Sequence, residues 1–321
     1  MKLRAFTADA WLCATMVLAI VHVMFVAVVV ARVGLVAVLL WYVAPPLIAL
    51  SAIALLAIAL LRSWRSGDLP NRRVLTGLLL VALVVGSLAL FRTFPSSHNE
   101  QPSEVPFRLP LDGAVTVAWG GPTLRANYHA VMPDQRWAYD LLVTVHGTSH
   151  RGSGSRLEDY YAFGRPVLAP ANGVVWHVQD GEKDGPIGQW RVGRAAGNHV
   201  ILQVADREFL VIAHLQAGSI AVRGGHGVVA GQVIGRVGNS GNSSEPHVHL
   251  HLQDRPQQYL AEGIPFYFHG YCARGAEIAR GMPVGGRERW SRAFPGRFIG
   301  DIVEAAGGVE RPERCRTRSA P

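Results

Sequence analysis

Lysine, cysteine and acidic charge are scarce in this 321-residue chain. Lysine occurs only at Lys2 and Lys183. A biotin- or lipoyl-type carrier domain needs a lysine at a hairpin tip, but Lys183 lies in the loop GEKDGP. The half-motifs APANGVV (169–175) and VVAGQVIG (228–235) therefore do not make such a carrier. Three cysteines leave a single pair, Cys272 and Cys315, outside the apolar N-terminal third. Charged residues are 17% against 49% hydrophobic, which excludes a disordered chain, and no Gly-x-y period marks a collagen. Residues 1–92 hold only two acids, Asp9 and Asp68, against eight bases. Of the net charge of +8, that segment supplies +6, so the basic balance is a membrane-flank effect. It does not signal nucleic-acid binding, which needs a basic patch on the folded domain.

What the N-terminal third has is long apolar sequence. Residues 12–31 contain no formal charge, residues 33–61 repeat the pattern around Pro45 and Pro46, and residues 74–91 make a shorter third run. At about 1.5 Å per residue a twenty-residue helix just crosses a hydrocarbon core of about 30 Å. The expectation is a three-helix transmembrane anchor over 1–92. Lys2, Arg4 and the arginines of 62–73 outnumber Arg32 and Arg92 on the other side. By the positive-inside rule the N-terminus faces the cytoplasm and residues 93–321 lie outside, making a multi-pass protein of the cytoplasmic (inner) membrane. In an oxidising outer compartment Cys272 and Cys315 are candidates for a bridge, two free thiols being the alternative. His22, within the first run, reads as a packed polar residue.

Residues 93–106 (TFPSSHNEQPSEVP) read as a linker. Beyond it, short β-branched runs between Gly, Pro, Asn and Asp predict strands at 114–118, 137–145, 173–178, 199–204, 208–213, 232–237 and 247–253. No repeat of fixed period is visible. The expectation is a mostly antiparallel β domain over 107–255, with a Gly-, Arg- and Pro-rich extension at 256–321. Twelve of the thirteen histidines lie in residues 93–321. His247, His249 and His251 alternate with Val248, Leu250 and Leu252, so a strand puts the three imidazoles on one face and the aliphatics on the other. A His-x-His pair on a strand is a natural metal chelate.

The loop GNSGNSSEP (238–246) precedes that strand, and AHL (213–215) ends the run FLVIA. With NYH (127–129), QRWAYD (135–140), APANGVV, GNHVIL (197–202) and VVAGQVIGRVGNSG (228–241), these segments resemble the lysostaphin-type, or LytM, zinc endopeptidases, which cut peptidoglycan peptides. The resemblance spans residues 113–255. It implies a zinc ligand at His249 and substrate-facing histidines at His214 and His247. The family's remaining ligands form a His-x-x-x-Asp motif; Asp140 matches its acid, but Arg136 stands in place of the histidine. A guanidinium has no lone pair and cannot ligate. His129 is the candidate replacement, with His146, His150 or an unfilled site as alternatives. Two histidines and a carboxylate leave zinc one open position, and water bound there, with a pKa near ~7, is a usable hydroxide at neutral pH. His214 and His247 would accept its proton or hydrogen-bond the oxyanion.

The expected function is a membrane-anchored zinc metalloendopeptidase (a peptidoglycan hydrolase) acting on cell-wall peptides. The alternative is an inactive LytM-type domain that binds the wall or activates another hydrolase. His199 reads as structural, His177 as a solvent-facing strand residue, His226 as a hairpin tip, and Tyr160 and Tyr161 as core or groove residues.

Overall fold

The apolar runs of the first ninety residues become three helices: α1 (Ala8–Val30), α2 (Gly34–Ser66) and α3 (Arg72–Leu88). The computed structural model describes residues 8–66, 72–88, 93–189, 191, 193–286 and 300–305. These fall into two units, residues 1–97 and 98–321. In the first, Leu18 and Phe25 of α1, Ile48 and Ala52 of α2 and Val81 and Val84 of α3 pack into one apolar cluster. Gly77 allows the close approach of α3 to α1, since a Cβ there would fall 2.1 Å from the Trp11 ring. His22 Nε2 meets Ser87 Oγ at 2.6 Å, a packed polar pair as the sequence suggested. Large aliphatics such as Val23, Leu50 and Leu60 point outward. Among the described residues two helices, Asp9–Val30 and Gly34–Arg65, are long and apolar enough to cross a membrane. The expected third span corresponds to the 17-residue α3, which is shorter.

Among the described residues the second unit has twelve strands: β1 (Ala114–Trp119), β2 (Tyr139–Leu142), β3 (Pro166–Leu168), β4 (Gly173–Gln179), β5 (Asn198–Ala205), β6 (Glu208–Leu215), β7 (Gly227–Val228), β8 (Val233–Arg236), β9 (Val248–Gln253), β10 (Phe268–Ala273), β11 (Ala276–Gly281) and β12 (Ile302–Ala305). Ten form one sheet in the order β11-β10-β12-β1-β2-β9-β6-β5-β4-β7, with every neighbouring pair antiparallel, and β3 pairs β8 separately. Period-2 alternation decides what each face holds. Leu250, Val248 and Leu252 of β9 join Leu141, Leu202, Leu210, Ile212 and Phe266 in a single core. The residues between them on β9 are the histidines, on the opposite face.

Among the described residues beyond 255, three strands belong to this same sheet, and β12 lies between β10 and β1. Cys272, on β10, is disulfide-bonded. Cys315 lies outside the described residues, so the expected pairing of the two is not described.

Candidate metal centre

Asp140 and His249 face each other because β2 and β9 are neighbours in register at those two residues. His249 Nδ1 lies 2.8 Å from Asp140 Oδ1. The third group arrives from outside the sheet. Asn127 caps a 3-10 turn, Tyr128–Val131, its side chain accepting from the His129 amide, and this aims His129 inward. His129 Nε2 lies 2.9 Å from Asp140 Oδ2, and the two imidazoles of His129 and His249 pack edge to face at 4.7 Å. One ligand atom from each of His129, Asp140 and His249 lies within 4.8 Å of the others, and all three residues are buried.

Two more histidines complete the cleft. His214 ends the apolar run of β6 at a positive φ of 62°, a conformation rarely adopted by a residue with a side chain. Its Nδ1–H donates to the Ser240 carbonyl at 2.9 Å. His247 Nδ1–H donates to the Glu245 carbonyl at 2.7 Å. A carbonyl only accepts, so each ring, when neutral, keeps its Nε2 lone pair free for the cleft. The two rings stand 4.8 Å apart, and His247 Nε2 is 3.6 Å from Asp140 Oδ1. The loop that carries Ser240 is locked by glycine: Gly241 has φ +75°, and a Cβ there would meet the Gly197 backbone nitrogen at 2.4 Å. The cleft has a volume of about 210 Å³; Tyr128, Met132, Gln135, Ala196, Asn242 and Tyr259 line it with the histidines.

The electrostatics prepare the cluster for a cation. Burial alone would raise the Asp140 carboxyl, but His129 and His247, with hydrogen bonds from His129 and His249, hold it well below the carboxylate range. Burial, opposed by the Asp140 hydrogen bond and reinforced by His129, pushes His249 down to about 4. Burial and then the nearby His247 and His249 push His214 well below the usual imidazole range. The result is an ionised Asp140 beside neutral imidazoles at His214 and His249, and metal binding requires a deprotonated acid and a neutral ligating histidine. Two histidine nitrogens and a carboxylate oxygen converging in a buried pocket suit zinc.

The side chain expected to be excluded from the cluster lies away from it. The Arg136 guanidinium donates to the Pro122 carbonyl at 3.0 Å and stacks on the Trp137 ring at 4.2 Å. His146 is exposed on its loop. His150 packs against Tyr160 at 5.4 Å. Neither belongs to the candidate ligand group. Tyr160 is buried and donates to the Gly154 carbonyl, and Tyr161 packs on the core. His177 and His226 are exposed, while His199 Nδ1 caps the Gly197 carbonyl at 2.8 Å. The column of β9 histidines continues beyond His251 to Gln253, a residue the alternation alone does not single out, and both are buried.

The family model described as Peptidase family M23 matches residues 154–260. The resemblance read from the sequence is to this same family of lysostaphin-like peptidases. The matched M23 segment contains His214, His247 and His249, whereas His129 and Asp140 precede it. Three solved structures illustrate the likeness. The catalytic domain of the prophage-encoded M23 protein EnpA from Enterococcus faecalis, a point variant, is 22% identical, with 50% of this chain and 94% of that one covered at a TM-score of 0.32. A zinc-containing peptidase from Vibrio cholerae is 20% identical, with 50% and 41% covered and a TM-score of 0.32. The catalytic domain of lysostaphin from Staphylococcus simulans is 20% identical, with 46% and 86% covered and a TM-score of 0.29. No curated protein matches the chain.

Proposed function

We propose that the protein is a membrane-anchored zinc metalloendopeptidase that hydrolyses peptide bonds of peptidoglycan outside the cytoplasmic membrane. The observation that carries this reading is the convergence of His129, Asp140 and His249 beneath two imidazoles with free Nε2 lone pairs. His129, Asp140 and His249 would hold the zinc. When bound, it supplies Lewis acidity, polarising a substrate carbonyl and lowering the pKa of water. His214 and His247, held by backbone carbonyls, are placed to take a proton from the attacking water at Nε2. Once protonated, either can donate from that nitrogen to the oxyanion or the leaving amine. His214, held well below the usual imidazole range, is neutral at rest and suited to start as a base. The helices of residues 1–92 would serve as the anchor, with three spans and the β domain outside.

Incubating the full chain in detergent with intact peptidoglycan and identifying released fragments tests the reading. New peptide termini, absent with Asp140→Ala, are the expected result. Arg136, at the position of the family's histidine, favours the competing reading of an inactive wall-binding domain. Binding to peptidoglycan without release of fragments would establish that reading instead.

A further inference from the structure

We propose that His251 and Gln253 are positioning residues that decide which ring nitrogen of His249 carries its proton, and so keep the Nδ1 lone pair available to a metal. This rests on the metal-centre reading above and extends it to residues outside the candidate ligand group.

Both nitrogens of His249 are engaged: Nδ1 faces Asp140, and Nε2 lies 2.9 Å from His251 Nδ1. His251 Nε2 lies 3.1 Å from Gln253 Oε1. These residues share one face of β9, and their partners across β6 are Ala213, Val211 and Phe209. None of those three side chains offers a hydrogen bond, so the polar column is left to pair along its own length. With the Gln253 amide oxygen facing His251, valence sets one polarity of the column. An amide oxygen only accepts, so His251 Nε2 donates to it. A neutral imidazole has one N–H, so His251 Nδ1 accepts from His249 Nε2–H. His249 Nδ1 is then a lone pair directed at the Asp140 carboxylate. Two electron-rich atoms face each other there, an arrangement that a shared cation stabilises.

The column can also run the other way. His249 Nδ1–H then donates to Asp140, His251 Nδ1–H donates to His249 Nε2, and the Gln253 amide turns over to donate from its own Nε2. Gln253 Nε2 has no hydrogen-bond partner among the described residues, so the turn sacrifices no bond. Each ring carries one proton in both arrangements, and no charge moves. The first polarity suits the metal-bound protein and the second the metal-free one. Glutamine suits the end of the column because one rotatable amide presents an acceptor or a donor. Such outer partners of a ligating histidine typically change metal affinity by about 10- to 100-fold when removed.

Zinc affinity of the full chain in detergent, measured by chelator competition, tests this together with ¹⁵N spectra of the imidazoles. Wild type should hold zinc, with the proton on His249 Nε2 when loaded and on Nδ1 when stripped. His251→Phe should weaken zinc about 10- to 100-fold. His251→Gln, which restores an acceptor, should recover most of the loss. Gln253→Glu, an acceptor only, should keep wild-type affinity, whereas Gln253→Met should not; this pair carries the test should His251→Phe fail to fold. A folded His251→Phe with wild-type affinity would overturn the inference. Equal weakening by His251→Phe and His251→Gln would also overturn it, since that is the signature of packing. Wild type that binds no zinc would instead bring down the metal-centre reading, and this inference with it.

Discussion

His129 was reached in the sequence only by elimination, because Arg136 has no lone pair to offer and a histidine stood nearby. Its placement depends on a 3-10 turn capped by Asn127, and no periodicity in the sequence marks that turn. Metal analysis of the full chain gives the direct check. His249→Ala and His129→Ala should each lose zinc; loss with His249→Ala alone would make the His129 assignment wrong. His214 and His247 belong to a different class of expectation. Replacing either by Ala should leave zinc near stoichiometric and lower activity by roughly 10²-fold or more. Zinc loss in both variants would reassign them as ligands. Arg136 illustrates what single residues can reveal without coordinates: its chemistry excluded it as a ligand, but only the structure shows it bonded to the Pro122 carbonyl and stacked on Trp137.

The strands were legible wherever alternation was strong. Residues 208–213 extend only to Leu215, and residues 173–178 only to Gln179. The expected strand over 137–145 contracts to Tyr139–Leu142 because the chain must turn at Gln135–Ala138 to enter the sheet and again at Val145–Thr148 to leave it. The three C-terminal strands left no clear trace. Their sequences, FHGYCA and AEIARG among them, interrupt the alternation with Gly and Arg. The histidine column of β9 was ambiguous for another reason. Alternating polar residues also describe a strand with one wet face, and the structure buries this face. Backbone pairing of Asp254, Gly263 and Ile264 with Glu262, Pro133 and Leu252 folds the following loop back along the strand. At this scale Gly241→Ala is informative. The added methyl would strain a positive φ and press on Gly197, displacing the loop whose Ser240 carbonyl holds His214. Activity should fall while zinc stays bound; unchanged activity would show that the loop adjusts without moving His214.

For the molecule as a whole, topology and acid response are the accessible properties. Two helices pass the length and composition test for a membrane span, and the arginines of residues 62–73 favour the cytoplasm. A reporter active only in the cytoplasm should be silent after residue 321 and active near Asp68; the reverse would overturn the proposed location. Acid should weaken the β domain. Burial, opposed by the Gly197 carbonyl and reinforced by His177, lowers the pKa of His199. Its folded pKa lies below the unfolded value of about 6.5, so the unfolded chain binds the extra proton. That contribution is fully present above about 6.5 and is lost as pH falls through the folded value. Thermal melts of the full chain should therefore show a midpoint that drops below that pH, less steeply in His199→Gln. Equal slopes would remove His199 as a contributor.

The placement of β12 carries a temporal consequence. Val115 of β1 pairs with Val303 of β12, 188 positions later, so the first strand of the sheet waits for nearly the whole chain to be synthesised. Contacts that distant close slowly, because the loop entropy is lost before the pairing is gained. A ribosome adding about 5–20 residues per second would finish those 188 positions in roughly 10–40 seconds. On the proposed topology the N-terminal helices enter the bilayer during that interval. On that topology the β domain would be delivered across as an open chain and would assemble only on the far side, where β12 arrives to cover the edge of β1.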